Sequence, residues 1–197
     1  QKFLRRIANA GCTHAVLECS SHGLLQGRLN GISFDIAAVT NTSAEHLDYH
    51  GSMEEYIQAK ALLFKMLKPC GVKILNVQDS SFPIFSKISS KQTISYNSES
   101  INITESSVDQ ISGKGMLEEQ SLDLQLPLAG AFNLKNALCA VACAQALGIK
   151  TDDAARALES FHGTPGRMES LNYGQPFSIF IDFTVTPQAY EATLRTA

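Results

Sequence analysis

An α/β fold with a largely parallel sheet and flanking helices is what this sequence predicts, and three observations carry it. Short β-rich runs, "HAVLEC" (14–19), "FDIAAVT" (34–40) and "VKILNV" (72–77), alternate with helical patterning, above all a segment from about Ser52 to Leu67. The runs are apolar along their length, as strands buried on both faces are. From about Ser80 to Gln125 the character changes to Ser, Thr and Ile in alternation, and Leu122, Leu124 and Leu126 alternate with polar neighbours, which predicts a small β excursion from the main sheet.

The elements can be justified in order. Ser52 and Glu55 form a capping box in "SMEE", and Met53, Tyr56, Ile57, Leu63, Phe64 and Leu67 follow at helical spacing. Gly51 ends any helix that begins near His46. After the excursion, "NLKNALCAVACAQALGI" is Ala-rich and helical with Gly148 as its stop, and Thr151 is placed to cap the next helix, "DDAARALESF". The breaker cluster "HGTPGR" (162–167) predicts a domain boundary near Pro165, and "FSIFIDF" opens a new strand.

Composition narrows the function classes. Apolar residues make up 44% and charged ones 18%, with a net charge of −3, so the basic excess that nucleic acid demands is missing. The longest apolar stretch, "ALCAVACAQALG", is broken by Gln145 and falls short of the roughly 20 residues that span a bilayer. Five cysteines with no CxxC pair indicate reduced thiols packed as small core residues in a cytoplasm. The start at Gln1 and the end within "YEATLRTA" lead us to expect a fragment of a longer chain.

In an open parallel sheet, ligands bind beyond the carboxyl ends of the strands. "AVLECSSH" puts Glu18, Ser20, Ser21 and His22 after one run, and "VTNTSAEH" puts Thr40, Asn41 and His46 after the next, so the two are expected to converge on a divalent-cation site. His46 and His50 lie four apart, but Leu47 stands where a zinc protease has its glutamate; His50 is therefore assigned to a turn. Lys60 falls inside the apolar stripe of its helix. It either snorkels to solvent or has a lowered pKa and a reactive neutral amine near Glu18 and His46.

These residues carry a resemblance. "LECSSHGLLQGRLNGISFD", "TNTSAEHLDYHGSMEEYIQAKALLF", "GAFNLKNALCAVACAQALGI" and "GTPGRMES…FIDF" resemble, in order, motifs of the Mur ligases, in the branch that builds UDP-N-acetylmuramoyl-tripeptide. The resemblance is weakest across about 78–120. It implies an ATP-dependent ligase that adds a third amino acid, with meso-diaminopimelate the expected one, to UDP-N-acetylmuramoyl-L-alanyl-D-glutamate through an acyl phosphate. The setting implied is peptidoglycan precursor synthesis by a cytoplasmic monomer. It further implies two Mg²⁺ ions neutralising carboxylate and triphosphate, with Glu18 and His46 as ligands and Lys60 as a carbamate beside them. Ser20, Gln26 and Arg28 match the segment that holds the UDP-muramoyl-dipeptide. Asn136, Arg167 and Asp182 match ATP-side positions, with Asn133 as an alternative amide unless it caps its helix. Residues 1–165 then correspond to the central ATP-binding domain and 166–197 to the start of a Rossmann-like C-terminal domain.

The chain also departs from the family pattern. It has "DFTVTP" (182–187) where the family reads DYAHTP, so Phe183 lacks a hydroxyl and Val185 an imidazole. No GxxxxGK[ST] loop occurs in it; "SGKG" at 112–115 lacks the spacing. The family carries that loop ahead of position 1 and its amino-acid-selecting signature beyond 197, so the 197 residues alone are not expected to turn over ATP. The rivals are a folylpolyglutamate synthetase-like ligase and a degenerate protein that binds nucleotide or UDP-sugar without catalysis.

Overall fold

The computed structural model describes residues 2–197 and builds the chain around a three-stranded parallel sheet. Helices α1 (Lys2–Asn9) and α2 (Ser21–Leu25) precede β1 (Phe34–Val39). A single turn, α3 (Leu47–His50), and the longer α4 (Met53–Lys65) return the chain to β2 (Leu67–Asn76), and α5 (Phe82–Phe85) leads to β3 (Gln92–Tyr96). The order is β1-β2-β3, with Ile36 beside Val72 and Ile74 beside Ile94. Strands β4 (Ile101–Ser106), β5 (Ile111–Leu117) and β6 (Gln120–Leu126) form a separate antiparallel sheet. Helices α6 (Phe132–Ala146) and α7 (Thr151–Leu158) follow, then a hairpin of β7 (Glu169–Leu171) and β8 (Ile179–Ile181), and finally α8 (Pro187–Thr196).

Burial on both faces explains the apolar runs. Ala37 of β1 and Leu75 of β2 pack with Ile57, Ala61 and Phe64 of α4 and with Phe85 of α5. The neighbouring residue on β2, Ile74, points the other way and joins Ile94, Leu134, Leu138 and Val141 under α6. Leu122, Leu124 and Leu126 of β6 reach the same cluster, so the antiparallel sheet shares a core with the main one. Gly115 lets β5 pass close to the turn that precedes β4, since a Cβ there would collide with the Ser100 carbonyl oxygen.

Helix α4 forms as expected: Ser52, in extended backbone, accepts from the Glu55 N–H at 3.2 Å. Gly51 closes α3 at φ 77°, and Gly148 lies past the end of α6 at φ 80°.

Four expectations are corrected. The run at 14–19 is not a strand: it lies across a cavity from β1, has no ladder partner among the described residues, and leaves Val16 98% exposed. Gln92–Tyr96 belongs to the parallel sheet, so the antiparallel excursion is shorter than 80–125, at 101–126. Neither Asn133 nor Thr151 caps a helix. The caps are Ala131 and Lys150, while Asn133 Nδ2 donates to the Ala129 carbonyl and the Thr151 hydroxyl engages Gln120 and Gln145. Of the five free cysteines only Cys139 is fully buried, and Cys12 and Cys70 are exposed. The expected boundary near Pro165 falls in the irregular segment between α7 and β7.

Lys73, on β2, is 1% exposed. Its ammonium donates to the carbonyls of Phe85 (2.7 Å), Ser86 (3.3 Å) and Ile88, closing the end of α5 with all three protons. Lys73→Met keeps the stem and orphans those carbonyls. It is expected to destabilise the protein by about 2 kcal/mol in urea unfolding; an unchanged midpoint would mean that water satisfies them equally well.

Candidate active site

Parallel pairing brings the loops after β1 and β2 to one edge of the sheet, where polar side chains tie them together. Asn76 Nδ2 donates to the Thr40 carbonyl at 3.0 Å. Asp79 accepts from the Thr42 amide at 2.7 Å and hydroxyl at 2.6 Å, from the Ser81 amide at 3.0 Å, and from the Ser81 hydroxyl. Burial alone would raise the Asp79 carboxyl, but these hydrogen bonds outweigh it and hold the group below its ordinary value. The loop from Thr40 to His46 is thereby pinned to its neighbour.

Beside it opens a cavity of about 730 Å³, lined among others by Glu18, Thr40, Asn41, Glu45, His46 and Lys60. Both loop segments line it, although among the described residues no group of three or more His, Cys, Asp or Glu is placed to hold a metal ion. Lys60 enters from α4, half-buried, its ammonium 5.0 Å from the centre of the Tyr56 ring. Burial pushes the Lys60 amine down from its ordinary value, and Glu45 and Asp79 oppose this only in part. Tyr56 is pushed up to about 12 by burial, with Glu45 and Asp79 adding to it. His46 holds left-handed backbone at φ 57°, uncommon for a residue with a side chain and found preferentially where function demands it.

Sequence reasoning missed Glu45 and Asp79. Glu45 was findable, as a carboxylate directly before His46 at a strand's end. Asp79 was not, because its partner Thr42 lies 37 residues away.

On the other wall, Ser20 caps α2, its hydroxyl oxygen accepting from the Gly23 amide at 3.1 Å, which leaves its own hydrogen for a ligand. A Cβ on Gly23 would lie 3.2 Å from Ser20 Oγ and 3.7 Å from Arg28 Cδ, so Ser20 and Arg28 flank one spot. Gln26 donates to the Tyr49 hydroxyl at 3.3 Å. The His22 ring is 4.7 Å from that of His46. His50 is indeed at the turn, but it is buried, with Nε2 2.9 Å from the Ser21 hydroxyl. Burial, then His22 and His46, lower its pKa, against smaller opposing effects of Glu55 and Asp48.

Of the expected site residues, Gln26 and Arg28, both exposed, do not line this cavity, and neither do Asn136, Arg167 and Asp182. Asn136 is exposed and donates to Asn133 Oδ1 at 3.3 Å. Arg167 stacks on Phe183 and donates to its carbonyl at 2.8 Å. The Asp182 carboxylate accepts from the Met168 amide at 2.8 Å and from the hydroxyls of Thr184 and Thr193.

Residues 1–144 match the family model of the Mur ligase middle domain. The chain belongs to the Mur ligase family. A UDP-N-acetylmuramoyl-L-alanyl-D-glutamate–2,6-diaminopimelate ligase of Halalkalibacterium halodurans is 33% identical over 204 residues, covering 100% of this chain and 42% of that protein. UDP-N-acetylmuramyl-tripeptide synthetase 2 of Oceanobacillus iheyensis is 40% identical over 199 residues, covering 96% and 40%. A solved UDP-N-acetylmuramoyl-L-alanyl-D-glutamate–2,6-diaminopimelate ligase superposes with a TM-score of 0.81 at 31% identity, over 98% of this chain and 41% of that one. This Mur ligase chain thus spans about two fifths of the length of the relatives it matches.

The Asp79 clamp makes a pH-dependent prediction. In the full-length Mur ligase, Asp79→Asn is expected to cost about 1–2 kcal/mol at neutral pH, from weakened charge-assisted hydrogen bonds. Because folding depresses this pKa, the carboxylate's contribution is full above its ordinary value of 3.8 and disappears as pH falls through the lower folded-state value. Thermal melts of the two proteins therefore converge in acid; a constant gap down to that range would sink the clamp.

Proposed function

We propose that the full-length protein is an ATP-dependent amide ligase of the cytoplasm. In this reading it joins meso-diaminopimelate to UDP-N-acetylmuramoyl-L-alanyl-D-glutamate in peptidoglycan precursor synthesis. One observation carries the proposal: Glu18, Glu45, His46 and Lys60 share a cavity that runs along β1 and the loop leaving its carboxyl end, with Ser20 on its wall. The names of the relatives supply the substrates.

The reaction is a phosphoryl transfer followed by an acyl transfer. The substrate carboxylate attacks the γ-phosphorus of ATP and ADP leaves; the amine then attacks the acyl phosphate, and phosphate departs from the tetrahedral intermediate with loss of an amine proton. Two anions must meet in the first step, so cations are needed. The described residues hold no ready-made cluster of three or more His, Cys, Asp or Glu ligands. Mg²⁺ does not need such a cluster, since it takes one or two carboxylates and completes its shell with water and substrate phosphate. Glu18, His46 and Lys60 as a carbamate would hold the two ions, which when bound offset the charge of carboxylate and triphosphate.

Lys60 fits that role chemically. Its burial favours the neutral amine. That amine attacks carbon dioxide: an N–C bond forms as one C=O π pair moves onto oxygen, one amine proton is lost to solvent, and the neutral group becomes a carbamate anion. Ser20, Gln26 and Arg28 offer a hydroxyl, an amide and a guanidinium to the UDP-muramoyl-dipeptide. We assign Asn136 to the base side of ATP, Arg167 to phosphate and Asp182 to the ribose; Arg167 and Asp182 must exchange their present internal partners to serve there.

Phosphate release from ATP by the full-length protein, with Mg²⁺, the UDP-muramoyl-dipeptide and meso-diaminopimelate all present, is the test. Lys60→Ala is expected to lower the rate by on the order of 10²-fold or more, with part restored by added acetate or formate. A full-length wild-type protein that releases no phosphate above its ATP-only background overturns the reading.

A further inference from the structure

We propose that Tyr49 is a substrate-positioning residue, whose hydroxyl donates to the anionic ligand held by Ser20, Gln26 and Arg28 while fixing the Gln26 amide beside it. This rests on the reading above that the segment from Ser20 to Arg28 holds the UDP-muramoyl-dipeptide.

Tyr49 is 46% exposed, yet its ring is firmly placed. It lies against His22 with centroids 4.1 Å apart and planes tilted by 38°, and meets His50 edge-on at 5.1 Å. His50 in turn is anchored to Ser21, both side chains being buried. An aromatic ring held on two sides, with one edge in water, presents its hydroxyl at little cost in rotamer entropy.

The hydroxyl is half used. It accepts the Gln26 Nε2 proton at 3.3 Å, and among the described residues nothing accepts its own hydrogen. A phenol O–H left over beside an amide, close to the segment where Ser20 and Arg28 flank Gly23, matches a ligand rich in phosphate and sugar oxygens. The placement also joins two parts of the site. Tyr49 stands on α3, whose N-cap is His46, while Gln26 is the C-cap of α2, whose N-cap is Ser20. Contacts from Tyr49 to Gln26 and His22 therefore link the ligand segment to the wall carrying His46.

Tyr49→Phe in the full-length protein removes the hydroxyl and keeps the ring that packs on His22. Titration calorimetry with the UDP-muramoyl-dipeptide, without ATP, is expected to show Kd raised about 5–10-fold, with KM raised in parallel, kcat within about twofold and the melting midpoint unchanged. Gln26→Ala is expected to weaken binding as well, and the double variant by less than the product of the two, since the side chains act as a pair. A Tyr49→Phe protein that binds within twofold of wild type, or loses kcat at unchanged Kd, overturns the proposal. Wild-type protein that does not bind the dipeptide at all refutes the underlying reading, and this inference with it.

Discussion

A parallel strand pair cannot be closed by a tight turn, and this constraint governs the rest of the molecule. Each crossover between β1, β2 and β3 must travel back along the sheet, and α4 with its apolar stripe does so over the face formed by Ala37 and Leu75. Since all three strands run the same way, the loops that leave β1 and β2 emerge at a common edge. The cavity lies where β1 and the loop that leaves it meet the segment before α2, and α4 delivers Lys60 to it from the side.

Two buried or half-buried lysines on neighbouring elements show how the same side chain serves opposite ends. Lys73 has each of its protons matched by a carbonyl, so its charge is spent on closing α5. Lys60 makes no hydrogen bond among the described residues; it has the face of Tyr56 and the more distant charges of Glu45 and Asp79. The first arrangement ties the side chain into the architecture, although burial lowers its pKa as well. The second leaves an amine poorly solvated and unoccupied, which suits chemistry better than architecture.

What was legible beforehand divides along the line between local and distant causes. The Ser52 cap, the Gly51 and Gly148 stops and the stripe of α4 depend on neighbours in sequence, and each was foreseen. Whether an apolar run becomes a strand depends on a ladder partner elsewhere, so 14–19 was misassigned and Gln92–Tyr96 was placed in the wrong sheet. Within the site, Glu18, His46 and Lys60 carried recognisable patterns. Asp79 and Tyr49 acquire their meaning from Thr42 and Gln26, which no short-range spacing connects to them.

Helix α3 is only four residues long, a single hydrogen-bonded turn bounded by a left-handed His46 and by Gly51. One turn does not meet its own nucleation cost in water, so α3 persists through the side chains that fasten it to α2 and α4. Its amides are consequently governed by a local opening rather than by unfolding of the whole molecule. In hydrogen exchange this turn would act as the site's own gauge of occupancy, slowing when a ligand bridges α2 and α3 and quickening when it departs.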